Sequence, residues 1–337
     1  MGVSLKDIAK RAEVSLATVS NVVNGYRPVS DETRQRVQEA IDELGYTPNL
    51  SARHLRHGRT GIIAPAIPEL TNPYFAELAR AAIHEARQHG YTLLMDYTDG
   101  DRDTELMLLQ GFRERIIDGL VLSPVQLERK DVLARTSGVP LVFIGESVYD
   151  VPHDHIAIDN LAASHTAVQH LVSLDRHRIA FIGAHPDANR QPAHLRLRGY
   201  QEALASAGLP FEPTLVAATR QFGRQDGMLG MRELLALPDR PDAVFAYNDL
   251  IAIGAMHAIL QADLRIPEDI AVIGFDDIED GRFSNPTLTT ISPDKERIGG
   301  LAVRSLIARV EGKPVDPPRD MQPPFRLVTR ESTLGRR

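Results

Sequence analysis

Two residue types are missing from this 337-residue chain: cysteine and tryptophan. Without cysteine there is no disulfide framework and no thiolate metal site. Long apolar runs are missing too. No window reaches the roughly 18 consecutive apolar residues that begin to span a bilayer, and the N-terminus carries no apolar signal-peptide core. No membrane partner is therefore expected, and the cytoplasm is the expected compartment. Neither a Walker phosphate loop nor a GxGxxG run occurs, so the usual phosphate and dinucleotide cradles are excluded and no cofactor is expected. The only metal-like cluster is His153, Asp154 and His155. Neighbouring residues of a strand point to opposite faces, so these three suit one ion poorly and no metal site is expected.

The length suggests a small headpiece plus two larger lobes, since one core rarely serves so long a chain. Charge is unevenly divided. Residues 1–60 hold 9 Lys and Arg against 7 Asp and Glu, while the remainder holds 29 against 38. A mildly basic head on an acidic body does not argue against nucleic acid, even though the overall charge is −7.

The stretch VSLKDIAKRAEVSLATVSNVVNG, residues 3–25, holds two short amphipathic helical patterns joined by a tight turn. Ser4 with Asp7 forms an acidic variant of the capping box, and Leu5, Ile8, Ala9 and Ala12 form the first apolar face. Glu13 stands at the turn, where a positive φ costs a non-glycine residue about 1 kcal/mol. Ser15 is placed to cap a second helix that buries Val19, Val22 and Val23. Leu16, Ala17, Thr18, Ser20, Asn21 and Asn24 are left facing outward, an uncharged face without the Glu and Lys pairs of ordinary surface helices. Ser30 to Thr33 cap a third helix with the stripe Val37, Ala40, Ile41 and Leu44, ending at Gly45. This is a helix-turn-helix pattern, whose second helix enters the major groove with its N-terminal side chains against base edges.

VSLKDIAKRAEVSLATVSNVVNG, the downstream SDETRQRVQEAIDELGY and the stretch SARHLRHGRTGIIA resemble the lac repressor and purine repressor family of bacterial transcription regulators, and the resemblance continues through nearly the whole chain. It implies an all-α headpiece at 1–48, a hinge helix or linker at 49–60, and two doubly wound parallel-sheet lobes like those of periplasmic binding proteins. The lobes are expected at 61–160 with 292–321, and at 161–291 with 322–337. Residues expected to meet operator DNA are Ser4, Leu5, Ser15, Leu16, Ala17, Thr18, Ser20, Asn21 and Asn24, joined in the linker by Asn49, Arg53 and Leu55. By resemblance, Leu55 is the wedge that enters the minor groove, an unstacking cost offset by the contacts a bent duplex permits. The best-known members carry bulkier polar base readers at Leu16 and Ala17, and an arginine at Asn21, so a different operator is implied. Leu16 and Ala17 suit thymine methyls, and Asn21 suits adenine.

From Gly61 onward, apolar runs of five or six residues alternate with helical patterns, as in a parallel sheet of βαβ units. Strands are predicted at 62–67, 91–97, 120–123 and 141–144, with a helix at 73–89. A second set is predicted to open at 156–159 and continue at 179–183, 243–247 and 272–275. A helix at 294–311 then returns to lobe one, and 325–330 to lobe two. Three crossings between lobes make a hinge, and ligands of such sheets bind beyond the carboxyl ends of the strands.

Those strand ends supply Asn72, Tyr74, Phe75, Arg190, Arg196, Phe222, Asn248 and Asp276 as candidate effector residues, with Asp249 and Asp277 candidate helix caps. By resemblance, Arg196 and Asp276 hold polar groups of the effector, Asn248 is their neighbour, Tyr74 and Phe75 form a wall, and Phe222 stacks. Arginine forks, carboxylates and an aromatic wall suit a small polar ring with several hydroxyls, so a sugar or sugar derivative is expected, with a purine or nucleoside as the alternative. An enzyme built on Asp276 and a cleft histidine is the competing class. No spacing of nucleophile, base and orienting group supports it. A homodimer is expected, because no heptad tail follows Leu334.

Overall fold

The computed structural model describes residues 3–24, 28–46, 58–187, 191–313 and 319–335. They belong to two compact units, 1–60 and 61–337. Asn49, Arg53, Leu55 and Arg190 lie outside the described residues.

The first unit is built from the helices Leu5–Arg11, Leu16–Asn24 and Asp31–Leu44. Ile8, Ala12, Val19, Val37 and Ala40 are buried at their centre, with Leu5, Val22, Val23 and Ile41 packed around them. The third helix ends at Gly45, where φ is +61° and the Tyr46 amide reaches the Ile41 carbonyl at 3.1 Å. A side chain at that left-handed position would be strained.

The second unit holds two sheets. The first comprises β1 (Ile62–Ile67), β2 (Thr92–Leu93), β3 (Asp96–Tyr97), β4 (Gly119–Leu122), β5 (Leu141–Ile144), β6 (Asp154–Ile156) and, far along the chain, β12 (Asp320–Met321). Its order is β12-β6-β5-β4-β1-β2, with β3 also on β1, and every pairing is parallel. The second comprises β7 (Ile179–Ala184), β8 (Val216–Ala218), β9 (Ala243–Ala246), β10 (Ala271–Phe275), β11 (Thr289–Pro293) and β13 (Phe325–Val328). Its order is β13-β11-β10-β9-β7-β8, with β13 alone antiparallel.

Alternation along the strands explains the layering. In the second sheet Ile179, Phe181, Phe245, Ile273 and Phe275 share a buried cluster with Ala163, Ala167, Tyr200 and Ala203 of the helices Asn160–Ser173 and Gln191–Ser206. Their neighbours Ala180, Ile182, Val244 and Val272 face the helices Arg224–Leu235 and Asp249–Gln261 instead. Successive side chains point to opposite faces, so each strand supplies both layers and reads as a continuous apolar run.

The sequence expectation lacks β8, β11 and β12, and two of the strands it does contain differ in the structure. Residues 157–159 form no strand, and Ile156, expected to open lobe two, is the last residue of β6, which pairs with β5 in the first sheet. Its pattern is obscured by two buried polar residues, Asp154 and His155. Asp154 is gripped by both ends of the Arg309 fork at 3.0 and 3.1 Å, and the His155 ring bonds the Gly145 carbonyl, so neither breaks the strand. The strand expected at 91–97 is divided at Leu94 and Met95 into β2 and β3. Both run along the same side of β1, where Pro65 has no N–H to give.

Candidate functional site

In the headpiece, local chemistry sets where the second helix begins. The Ser4 amide and hydroxyl both donate to the Asp7 carboxylate, at 2.9 and 2.6 Å, which fixes the start of the first helix. Glu13 takes a φ of +53° at the turn. The Ser15 hydroxyl then accepts from the Thr18 amide at 3.0 Å and caps the second helix. Leu16 is 45% exposed and Ala17 is exposed, while Thr18, Ser20 and Asn21 are half-buried and Leu5 packs on the core. Asn24 is the last residue of the helix. An apolar tip followed by small hydroxyl and amide groups can approach base edges closely without a bulky or charged side chain in the way. Asn21→Ala is expected to weaken specific operator binding by about 1–3 kcal/mol while leaving nonspecific DNA affinity in place. A titration against operator and scrambled duplexes checks this, and equal losses on both would remove the base-reading role.

In the body, the ends of β1, β4, β5, β9 and β10 converge on a cavity of about 700 Å³. Of the effector candidates, Asn72, Tyr74, Phe75, Arg196, Phe222, Asn248 and Asp276 all line it. Their roles differ. Asn72 caps the helix Pro73–Gln88 by accepting from the Tyr74 amide at 3.0 Å. Asn248 caps Asp249–Gln261 through the Ile251 amide at 2.8 Å, and its own amide donates to the Phe222 carbonyl at 3.0 Å. These two asparagines thereby hold the cavity's walls.

Asp249 and Asp277 do not cap. Asp249 is fully buried, accepting from the Ile278 amide at 2.9 Å and the Thr290 hydroxyl at 2.7 Å. Burial, reinforced by the neighbouring Asp276, pushes its carboxyl well above the ordinary range. Asp277 meets Arg330 at 2.6 Å and the Ser292 hydroxyl at 2.9 Å. Although burial raises its pKa, these partners hold it below the usual value.

Arg196 is the centre of the site. It is 7% exposed, and its plane lies 3.5 Å from the Phe275 ring centroid and 4.5 Å from that of Tyr247. Its Nε donates to Asn160 at 2.8 Å and one Nη to the Tyr247 carbonyl at 2.5 Å. The other Nη stops 3.9 Å from the Asp276 carboxylate, beyond hydrogen-bond reach. Asn160 also donates to Glu146 at 2.7 Å, so one cation serves two carboxylates. Burial pushes Asp276 up to about 6 despite Arg196 and Lys295, and raises Glu146 against Arg196 and the Asn160 bond. Tyr74, raised by burial and then by Asp276 and Glu146, stays protonated and can donate. Phe222 stacks on Tyr247 with centroids 4.2 Å apart, which completes an aromatic wall behind the guanidinium. Phe222 and Asp276 hold this position with φ of +57° and +106°.

Glu146, Asn160 and Tyr247 were not anticipated from the sequence. Tyr247 follows directly on β9 and Glu146 lies two residues beyond β5, so the strand-end rule applied to every strand would have found them. Around His153, Asp154 and His155, no group of three ligand residues fit for a metal ion occurs among the described residues. No helix among them is long and apolar enough to cross a membrane.

A helix-turn-helix headpiece joined to a two-lobed body with a polar cavity defines a ligand-responsive DNA-binding regulator. Residues 4–49 match the family described as bacterial regulatory proteins, lacI family, and residues 168–333 match the periplasmic binding protein-like domain. The chain is 38% identical to the ribose operon repressor of Escherichia coli K12 over 309 residues, covering 91% of this chain and 93% of that one. It is 35% identical to the HTH-type transcriptional repressor PurR of Aliivibrio fischeri MJ11, covering 99% of each. Among solved structures, the lac repressor dimer bound to operator and the anti-inducer ONPF superposes with a TM-score of 0.79 at 28% identity, covering 99% of both chains. The chain belongs to the lacI family: it is a transcriptional repressor whose hold on DNA is controlled by a small effector, and not an enzyme.

Proposed function

We propose that this chain works in the cytoplasm as a homodimer on a pseudopalindromic operator, read by Leu16, Ala17, Thr18, Ser20 and Asn21, and that its effector is a neutral sugar of about pentose size. Leu55 as minor-groove wedge, with Asn49 and Arg53 on the DNA backbone, belongs to the same proposal. Dimer symmetry sets half-sites about one helical turn apart.

The observation that carries the sugar is the 3.9 Å gap between Arg196 and Asp276. A hydroxyl oxygen placed between them accepts from the guanidinium and donates to the carboxylate, and a sugar presents several such groups around one ring. Glu146 and the Tyr74 phenol extend the same pattern to further hydroxyls, while the Phe222 and Tyr247 rings cover an apolar ring face. The name of the ribose operon repressor points the same way. A purine is the second reading, favoured by the aromatic stack and by the PurR relative.

A thermal-shift screen of the full chain against pentoses, hexoses, sugar acids, nucleobases and nucleosides separates the two. A ligand at one hundred times its dissociation constant stabilises by about 2.7 kcal/mol. D-ribose or a close pentose is expected to shift the wild type, with the shift lost in Asp276→Asn. A response to nucleobases or nucleosides alone would overturn the sugar reading.

A further inference from the structure

The Lys295 side chain lies outside the cavity's lining but is bonded to the segments on both sides of it. It is the first residue of the helix Lys295–Val310, directly after β11 crosses from the second sheet towards the first. Only 9% exposed, its ammonium meets three acceptors: the carbonyls of Asp276 at 2.6 Å and Asp277 at 2.9 Å, and the Glu77 carboxylate at 2.8 Å. Two of its three N–H donors go to the carbonyls, and its charge is met by the Glu77 carboxylate. The two carbonyls are the turn that ends β10 and aims Asp276 at the cavity. Glu77 sits on Pro73–Gln88, the helix of the first lobe whose start supplies Tyr74 and Phe75.

The helix carrying Lys295 is itself fastened to Pro73–Gln88. A methyl group on Gly299 would lie 3.0 Å from the Leu78 carbonyl, and Arg304 meets Glu85 at 2.7 Å. The two helices are thus one block at backbone contact distance, and Lys295 joins that block to the strand end of the opposite lobe. A shift of Asp276 relative to the first lobe must stretch two hydrogen bonds from a cation, which are stronger and shorter than neutral ones.

We infer that Lys295 is a positioning residue that couples occupancy of the cavity at Asp276 to the placement of helix Pro73–Gln88 in lobe one. The inference rests on the reading that a small effector in the cavity controls operator affinity.

The test uses full-length Lys295→Met and, as a milder change that keeps the fold's packing, Glu77→Gln. In the first arm, amide hydrogen exchange is followed without any ligand. Lys295→Met is expected to speed exchange about tenfold both at 276–280 and at 74–80, as loss of a hydrogen bond to a charged group would, with a smaller joint effect in Glu77→Gln. No change, or a change at 276–280 alone, overturns the inference. In the second arm, an operator is selected from a random duplex pool and its affinity is measured with and without D-ribose. Wild type is expected to change at least about 5-fold in one direction, and Lys295→Met to keep binding D-ribose while that ratio falls to within about 2-fold. A ratio unchanged in Lys295→Met overturns the inference. If D-ribose leaves the wild type unaffected, the pentose reading fails instead, and the exchange arm alone decides the role of Lys295.

Discussion

Arg196→Met is expected to destabilise the body by about 3–5 kcal/mol near neutral pH, the usual result of removing one partner from a buried charge set. Methionine keeps much of the apolar contact with Phe275 and Tyr247 but leaves Glu146 and Asp276 buried with no cation between them. Both carboxyls are already raised by burial and would rise further. Protonation then relieves the loss as pH falls. Urea unfolding of wild type and variant at about pH 7.5 and about pH 5 checks this, and the deficit should shrink at the lower pH. A deficit of equal size at both would assign the loss to packing rather than charge.

Asp276→Asn is expected to act in the opposite sense on stability. The ordinary value for this carboxyl is 3.8 and its folded value is about 6, so the folded state holds the proton more tightly. The stability this confers is fully present below about pH 4 and is lost as pH rises through about 6, leaving an ionised, buried group above that. A rise of that size corresponds to a ceiling of about 3 kcal/mol. Asparagine removes the penalty, so the variant should melt several degrees higher than wild type near pH 8 and no higher near pH 4. It should also lose the response to a pentose, because an amide cannot accept as a carboxylate does. A variant that melts lower at pH 8 would show that the carboxylate stabilises the empty site, contrary to the burial argument.

These two variants bear on what the sequence made legible. The headpiece was readable because caps and apolar stripes act within a few residues, as at Ser4, Ser15 and Gly45. The parallel sheets were readable because strands covered on both faces become unbroken apolar runs. Arg196 was different. Nothing in the spacing of HLRLRGY says that one arginine of the helix Gln191–Ser206 is 7% exposed while Arg198 pairs with Glu202 at the surface. Resemblance identified it, and only the packing of Phe275, Tyr247 and Asn160 around it makes the choice physical. Glu146 and Lys295 escaped notice because charged residues are assumed to be solvated until a partner is visible. For both, that partner lies on a distant stretch of chain: Asn160 and Arg196 for one, Asp276, Asp277 and Glu77 for the other. The same blindness hid β6, whose Asp154 is matched by Arg309 from 155 residues away.

The left-handed backbone at Phe222 and Asp276 has a consequence for affinity. Each conformation is one that an unconstrained chain avoids, at a cost of order 1 kcal/mol or more. That cost is met when the lobes fold, by the Asn248 bond to the Phe222 carbonyl and by Lys295 beneath Asp276. The aromatic face and the carboxylate therefore stand in place before any guest arrives. A small molecule of few atoms, with little binding energy of its own, does not have to order its host, and nearly all of its contact energy remains available for affinity.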